Sequence, residues 1–384
     1  MAEVVITGQD SKTLAAVGEF GLIKALAAWL PPGRRTLVGI GDDAAVLAVP
    51  DGRVVATTDF LLEGRHFRRD WSTAQDVGHK AAARSLADLA AMGAEPSALL
   101  VALAAPADLP VGWARGLAEG LAAECARVKG PGASVIGGDT ARAALVLLAV
   151  TGLGDLAGRA PVRRSGAAPG DLVAVAGPLG HAAAGLALLT AGWPASAEPD
   201  SGPSAGAPSA GAPSAGALPA GALPAGALVA AHLRPAPPYD AGPEAADLGA
   251  TAMIDVSDGL LADLGHVAAA SGVLIDLASE ALRPSDPLLT AARDVRRAGA
   301  RHASSGRTGP ASPPAAADTS PSEDTMRWVL SGGEDHSLAA TFPPGTRLPP
   351  RWRVIGVVRP GRGVVVDGQP WPLRGGVPGW DHFA

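Results

Sequence analysis

Six aspartates in this chain fall just after short apolar runs, and they do so in both halves of it. They are Asp42 and Asp43 in GIGDD, Asp59 in ATTDF, Asp139 in IGGDT, and Asp255 and Asp258 in MIDVSDG. A run of Val, Ile, Ala, Thr or Gly that stops at an acid reads as a β-strand carrying a carboxylate to a sheet edge. A seventh, Asp88 in SLADLAAMGA, sits inside a long Ala/Leu segment. Such a chain must bring several sheet edges and one helix to a common cleft. Asp42 and Asp43 sharpen the point, because adjacent like charges repel and a fold gains nothing from them unless a cation sits alongside.

The rest of the sequence agrees with alternating strands and helices. Residues 53–59, 145–154, 171–177 and 353–358 are short, apolar or β-branched, and bounded by Gly, Pro or Asp, as strands are. Residues 76–94 predict a helix with Asp76 as N-cap and Gly93 at C′, and 112–130 and 258–272 predict two more. The turn-rich PVRRSGAAPGD at 161–171 marks the domain boundary. The expected fold class is α+β: two α/β domains, 1–155 and 156–384, in a chain of 384 residues. Two low-complexity insertions interrupt the second domain. One, at about 201–228, repeats SAGAP and PAGAL; the other, at about 301–325, is rich in Pro, Ser and Ala. Neither can bury enough apolar surface to offset its ordering entropy, and neither carries chemistry.

Composition closes off several classes. A net charge of −6 with no basic stripe argues against nucleic acid as the main partner. The single cysteine, Cys125, excludes a disulfide framework and a cysteine-rich zinc site. No signal-like N-terminus and no charge-free apolar run of about 18 residues is present, so the expectation is a cytoplasmic protein with no membrane partner. The P-loop and dinucleotide-binding glycine patterns are absent. The acids at 255, 258 and 263 do not follow the spacing of an EF-hand loop.

Oxygen ligands with little histidine nearby and no cysteine select a hard cation, Mg²⁺ or Mn²⁺. Magnesium held by a few scattered carboxylates usually has phosphates completing its shell. The glycine pairs Gly137-Gly138 and Gly332-Gly333 read as turns whose N–H groups cradle anions. Each acid also has a plainer reading. Asp139 and Asp258 could cap turns, and Asp88 could pair with Arg84 one helical turn back. The Asp42-Asp43 pair and the recurrence in both halves favour a shared metal site.

The motifs GEFGLI (18–23), GIGDD (39–43), TTDFLLEGRHF (57–67), SLADLAAMGA (85–94), GGDT (137–140), RRSGAAPGD (163–171), HLRP (232–235), IDVSDGLLADLGH (254–266), LSGGEDH (330–336) and WDHF (380–383) occur in this order. Together they closely resemble the thiamine-monophosphate kinase family, within the superfamily of aminoimidazole-ribonucleotide synthetase. The resemblance implies two α/β domains, the first pairing in a homodimer to complete a β-barrel, with ATP and thiamine monophosphate in a cleft between the domains. It implies ATP-dependent formation of thiamine diphosphate with several Mg²⁺ ions. Carried over residue by residue, it makes Asp43, Thr57, Thr58, Asp59, Asp88, Asp139, Asp255 and Asp258 metal ligands, with Asp42 shaping the turn. Gly138, Asp139, Arg164 and Ser257 would contact ATP, and His66, Glu334 and Trp380 the thiamine phosphate. No general base is implied. One departure stands out: the family pattern continues GGED with tyrosine and an acid, where this chain has His336 and Ser337.

Overall fold

The computed structural model describes residues 10–40, 44–195, 225–305 and 320–372. Asp42, Asp43, Trp380 and most of both low-complexity stretches lie outside these residues. The first half runs α1 (Leu14–Trp29), β1 (Thr36–Val38), β2 (Val46–Leu47), β3 (Val55–Leu62), α2 (Ala74–Ala91), β4 (Glu95–Ala105), α3 (Val111–Cys125), β5 (Ser134–Arg142) and β6 (Leu147–Asp155). The second runs β7 (Leu172–Ala176), α4 (His181–Thr190), α5 (Ala225–Leu233), α6 (Ala241–Asp247), β8 (Ala252–Val256), α7 (Leu260–Ser271), β9 (Leu274–Leu277), α8 (Asp286–Ser305), α9 (Pro321–Ser331), β10 (Ser337–Phe342), β11 (Trp352–Arg359) and β12 (Gly363–Val366). Helices α5, α8 and α9 thus take in the edges of both low-complexity stretches. Among the described residues, no helix is long and apolar enough to cross a membrane.

Two sheets matter for the site. The first has strand order β3-β6-β4-β5 and the second β12-β9-β11-β7-β10-β8. Helix α2 lies between them, and its Ala82, Ala83, Leu86, Ala87, Leu89 and Ala90 are wholly buried. Small residues let it pack closely on α3 as well: a Cβ on Gly78 would stand 2.2 Å from the Leu117 carbonyl of α3, and one on Gly120 2.1 Å from that of Gln75. The capping differs from the sequence expectation. Thr73, not Asp76, is the N-cap of α2, and the Asp76 carboxylate accepts from the Thr73 N–H in a capping box. At the other end Gly93 takes the expected left-handed conformation (φ 75°).

Strand alternation decides which side chains meet α2. In β7, Ala174 and Ala176 join the core around α2, while Val173 and Val175 face the core under α4, α7 and α9. In β8, Met253 points towards α2 and Ile254 and Val256 away from it. Asp255 shares the parity of Met253. In β3, Thr57 and Asp59 share the parity of Leu61, which packs in the α2 core. The two sheets therefore aim carboxylates at one helix from opposite sides.

Candidate active site

The meeting point is Asp88 on α2. Thr57 Oγ1 donates to Asp88 Oδ2 at 2.6 Å, and Ser85, one turn earlier on the helix, donates to Asp59 Oδ2 at 2.8 Å. Burial pushes the Asp88 carboxyl up to about 7, and the negative charges of Asp255 and Asp59 add to that. Asp59 lies inside β3 and Asp139 inside β5, rather than at strand ends as the sequence suggested. The same holds for the glycines: Gly138 is in a strand, not a turn, where a Cβ would lie 1.8 Å from the Val101 carbonyl, so strand contact explains it.

Asp255 is itself buried and hydrogen-bonded, its Oδ2 lying 3.0 Å from His336 Nδ1. The family departure at 336 is thus a histidine seated on a carboxylate of the acid group. Beyond it, the DVSDG loop is shaped by Asp263, whose Oδ2 accepts from the N–H groups of Asp258 (3.1 Å) and Gly259 (3.0 Å). Asp258 is consequently not the cap of α7. Burial, then the charges of Asp255 and Asp258, push Asp263 up to about 8. Ser257 presents its carbonyl to the Glu334 N–H at 2.8 Å, which ties this loop to SGGED.

Glu334 has φ 67°, a left-handed conformation unusual for a side chain with Cβ, and such strain is commonly kept where a side chain must be aimed. Its Oε2 accepts from Lys80 Nζ at 3.0 Å, and His232 Nδ1 stands 3.3 Å away. Burial pushes the carboxyl up, but the nearby cations, Lys80 foremost, outweigh this and bring it down to about 2. Burial and Lys80 push His232 down to about 3, so at neutral pH it is uncharged and Lys80 is the charge partner. Lys80 also donates to the His66 carbonyl (3.3 Å), and His66 Nδ1 accepts from the Leu62 N–H (2.9 Å), which leaves the proton on Nε2. Asp335 serves structure: its carboxylate caps α4 by accepting from Gly180 and Ala182.

Three expected residues stand apart from this group. Thr58 is on the other face of β3, where its hydroxyl accepts from Thr151 at 3.2 Å. Asp139 is exposed on β5 and accepts from the Thr140 N–H. Arg164 is exposed, its carbonyl held by Ser271 Oγ. Residues the sequence reading did not assign are Lys80, Arg84, His232, Asp263 and His336. The signal for the first two was the four-residue spacing of Lys80, Arg84 and Asp88. Among the described residues no group of three or more His, Cys, Asp or Glu is arranged to hold a metal ion. The acids are neighbours by charge rather than parts of a closed coordination shell. An all-oxygen donor set with one carboxyl pushed up to about 7 by burial and by neighbouring carboxylates suits a hard cation whose remaining ligands come from elsewhere.

The family model of the AIR synthase related protein, N-terminal domain, matches residues 41–156. A thiamine-monophosphate kinase of Mycobacterium tuberculosis is 42% identical over 375 residues, covering 97% of this chain and 94% of the relative. Among solved structures, thiamine-monophosphate kinase from Stenotrophomonas maltophilia is 31% identical with a TM-score of 0.66, covering 91% of this chain and 95% of that one. AaThiL complexed with AMPPCP and TMP is 30% identical with a TM-score of 0.65, covering 96% of this chain and 98% of that one. With identity at this level over nearly its whole length, this chain belongs to the thiamine-monophosphate kinase family.

Proposed function

We propose that this protein transfers the γ-phosphoryl group of ATP to the phosphate of thiamine monophosphate, giving thiamine diphosphate and ADP. The observation that carries the reading is the convergence of Thr57, Asp59 and Asp255 on Asp88, beside the Lys80–Glu334 pair. An acceptor phosphate oxygen attacks the γ-phosphorus in line, and the bond from that phosphorus to the β–γ bridging oxygen breaks as ADP leaves. The acceptor is already ionised, so no general base is needed, and the protein's task is alignment and charge compensation. Asp43, Asp59, Asp88, Asp255 and Asp258, with Thr57, would hold Mg²⁺, which when bound neutralises the gathered phosphates. Thr58 and Asp139 would complete the metal cluster, and Asp139 with the Gly138 backbone, Arg164 and Ser257 would meet the nucleotide. His66, Glu334 and Trp380 would meet the thiamine, Trp380 by stacking on its cationic ring.

We further propose the domain division 1–155 and 156–384, and a homodimer that joins two four-stranded sheets into a barrel. The face of β3 away from α2 supports this, since Phe60 is 59% exposed on it. The ATP requirement suits a cytoplasmic enzyme. The test is ADP release from Mg-ATP with thiamine monophosphate, with thiamine and no acceptor as controls, and chromatographic identification of the product. Thiamine diphosphate from the monophosphate alone is the expected result. ADP without it would move the assignment to another ATP-using member of the superfamily, and tight ATP binding with no turnover to a non-catalytic homologue.

A further inference from the structure

Lys80, Arg84 and Asp88 follow one another at four-residue intervals on α2 and so share one face of the helix. Lys80 is committed to Glu334 and the His66 carbonyl and is only 3% exposed. Arg84 is placed differently. Its terminal nitrogens stand 3.8 Å from Asp59 Oδ1 and 3.7 Å from Glu334 Oε1, both beyond hydrogen-bond reach. Its Nε is buried with no hydrogen-bond partner among the described residues. Two other arginines, by contrast, close on their carboxylates: Arg53 meets Asp51 at 2.9 and 3.0 Å, and Arg159 meets Asp247 at 2.7 Å. Arg84 instead keeps its buried Nε unmet among the described residues and its terminal nitrogens outside hydrogen-bond reach of either carboxylate, at 14% exposure, so donors remain for a ligand to fill.

A fork held open between two carboxylates matches an oxyanion with several acceptor oxygens, a phosphate above all. Its position narrows the choice. On one side is Asp59, in the acid group that would carry the metal-bound nucleotide; on the other is Glu334, on the thiamine side. We propose that Arg84 binds the acceptor phosphate of thiamine monophosphate, orienting its attacking oxygen and selecting phosphorylated over unphosphorylated thiamine. The assignment rests on the kinase reading above. It gives the protein a fixed cation at the point where two polyanions meet, in addition to whatever charge the metal supplies.

The test is calorimetric binding of thiamine monophosphate and of thiamine, each with Mg²⁺, to the wild-type protein, Arg84→Gln and Arg84→Lys. The Gln variant is expected to bind the monophosphate about 10–100-fold more weakly, the range for losing hydrogen bonds to a charged group, while thiamine binding stays near wild type. The Lys variant, which keeps the buried charge and so guards against a folding failure, should recover part of the loss but not the bidentate fit. Equal weakening of both ligands in Arg84→Gln would make Arg84 a structural tie for Glu334 and overturn the assignment. So would unchanged monophosphate binding in either variant. Wild-type protein that neither prefers the monophosphate nor converts it would overturn the kinase reading and this assignment with it, whereas a preference that survives in the variants overturns the assignment alone.

Discussion

Lys80 Nζ and Glu334 Oε2 are 3.0 Å apart although 254 positions separate them in sequence. The ammonium comes from α2 and the carboxylate from the loop entering β10, so one contact ties the helix packed on the first sheet to the second sheet. Removing one partner of a buried pair leaves the other charge stranded, so Lys80→Ala should cost about 3 kcal/mol in denaturant unfolding. The joint change Lys80→Met with Glu334→Leu should recover most of that stability while thiamine monophosphate binding is lost. The pair also has a pH signature. Glu334 is held at about 2 against an ordinary 4.5, so its contribution is complete above 4.5 and is lost as pH falls from there towards 2. Thermal melts across that range should steepen in the wild type and flatten in Glu334→Gln.

Asp88 yields a second expectation. With its carboxyl near 7, part of the population is protonated at neutral pH. A cation bound among these acids requires the ionised form, so Mg-nucleotide binding should release protons. Calorimetry in buffers of different ionisation heat should find the release largest below pH 7 and fading above pH 8. Magnesium affinity should fall as the solution is acidified below 7, and Asp88→Asn should abolish most of the released proton along with turnover.

His336 gives a third. Its ring nitrogen is the hydrogen-bond partner of Asp255, and both are buried. His336→Phe leaves that carboxylate without its support, and losses of this kind are typically about 10–100-fold in metal affinity or activity. The magnesium concentration that half-saturates turnover should rise, while Arg84-dependent thiamine monophosphate binding changes little. His336→Gln should restore part of the function by offering a donor again.

Cys125 gives a fourth, and it concerns the fold alone. The thiol is 2% exposed, and burial, helped by the charge of Glu124, pushes it up to about 12. Native protein at pH 8 should resist alkylation for hours and titrate one thiol only when denatured. Rapid modification of the native state would mean that α3 opens from its place against α2.

The strands at β3, β6, β7 and β11 and the helices α2, α3 and α7 were legible in the sequence to within a few residues, because each is a short apolar or Ala/Leu run stopped by Gly, Pro or Asp. Asp59 and Asp255, which meet at α2, were singled out by a strand-then-acid pattern, although Asp59 lies within β3 rather than after it and Asp139, picked out by the same pattern, stands apart. For Lys80, Arg84, His232 and His336 at most the shared helix face of the first two was legible, since their roles depend on partners as far as 254 positions away, and no local spacing records which residue a long chain will bring alongside. Gly138 misled for a related reason: a glycine pair before an acid reads as a phosphate turn, whereas here the missing Cβ makes room for the Val101 carbonyl of a neighbouring strand. Capping of α2 was misread because Thr73 and Asp76 are both good cap residues, and only the backbone decides which one ends the helix.

Helix α2 is also a measuring rod. An α-helix rises about 1.5 Å per residue, so Lys80, Arg84 and Asp88 stand at roughly 6 Å intervals along one stiff axis. Under the assignments proposed above, the rod marks from one end the thiamine side, the acceptor phosphate and the metal. Small shifts between the two sheets do not alter those intervals, because all three marks are cut into the same helix. An extra residue between 81 and 87 would change them at once, turning one mark by about 100° and spoiling the alignment without removing a single functional group.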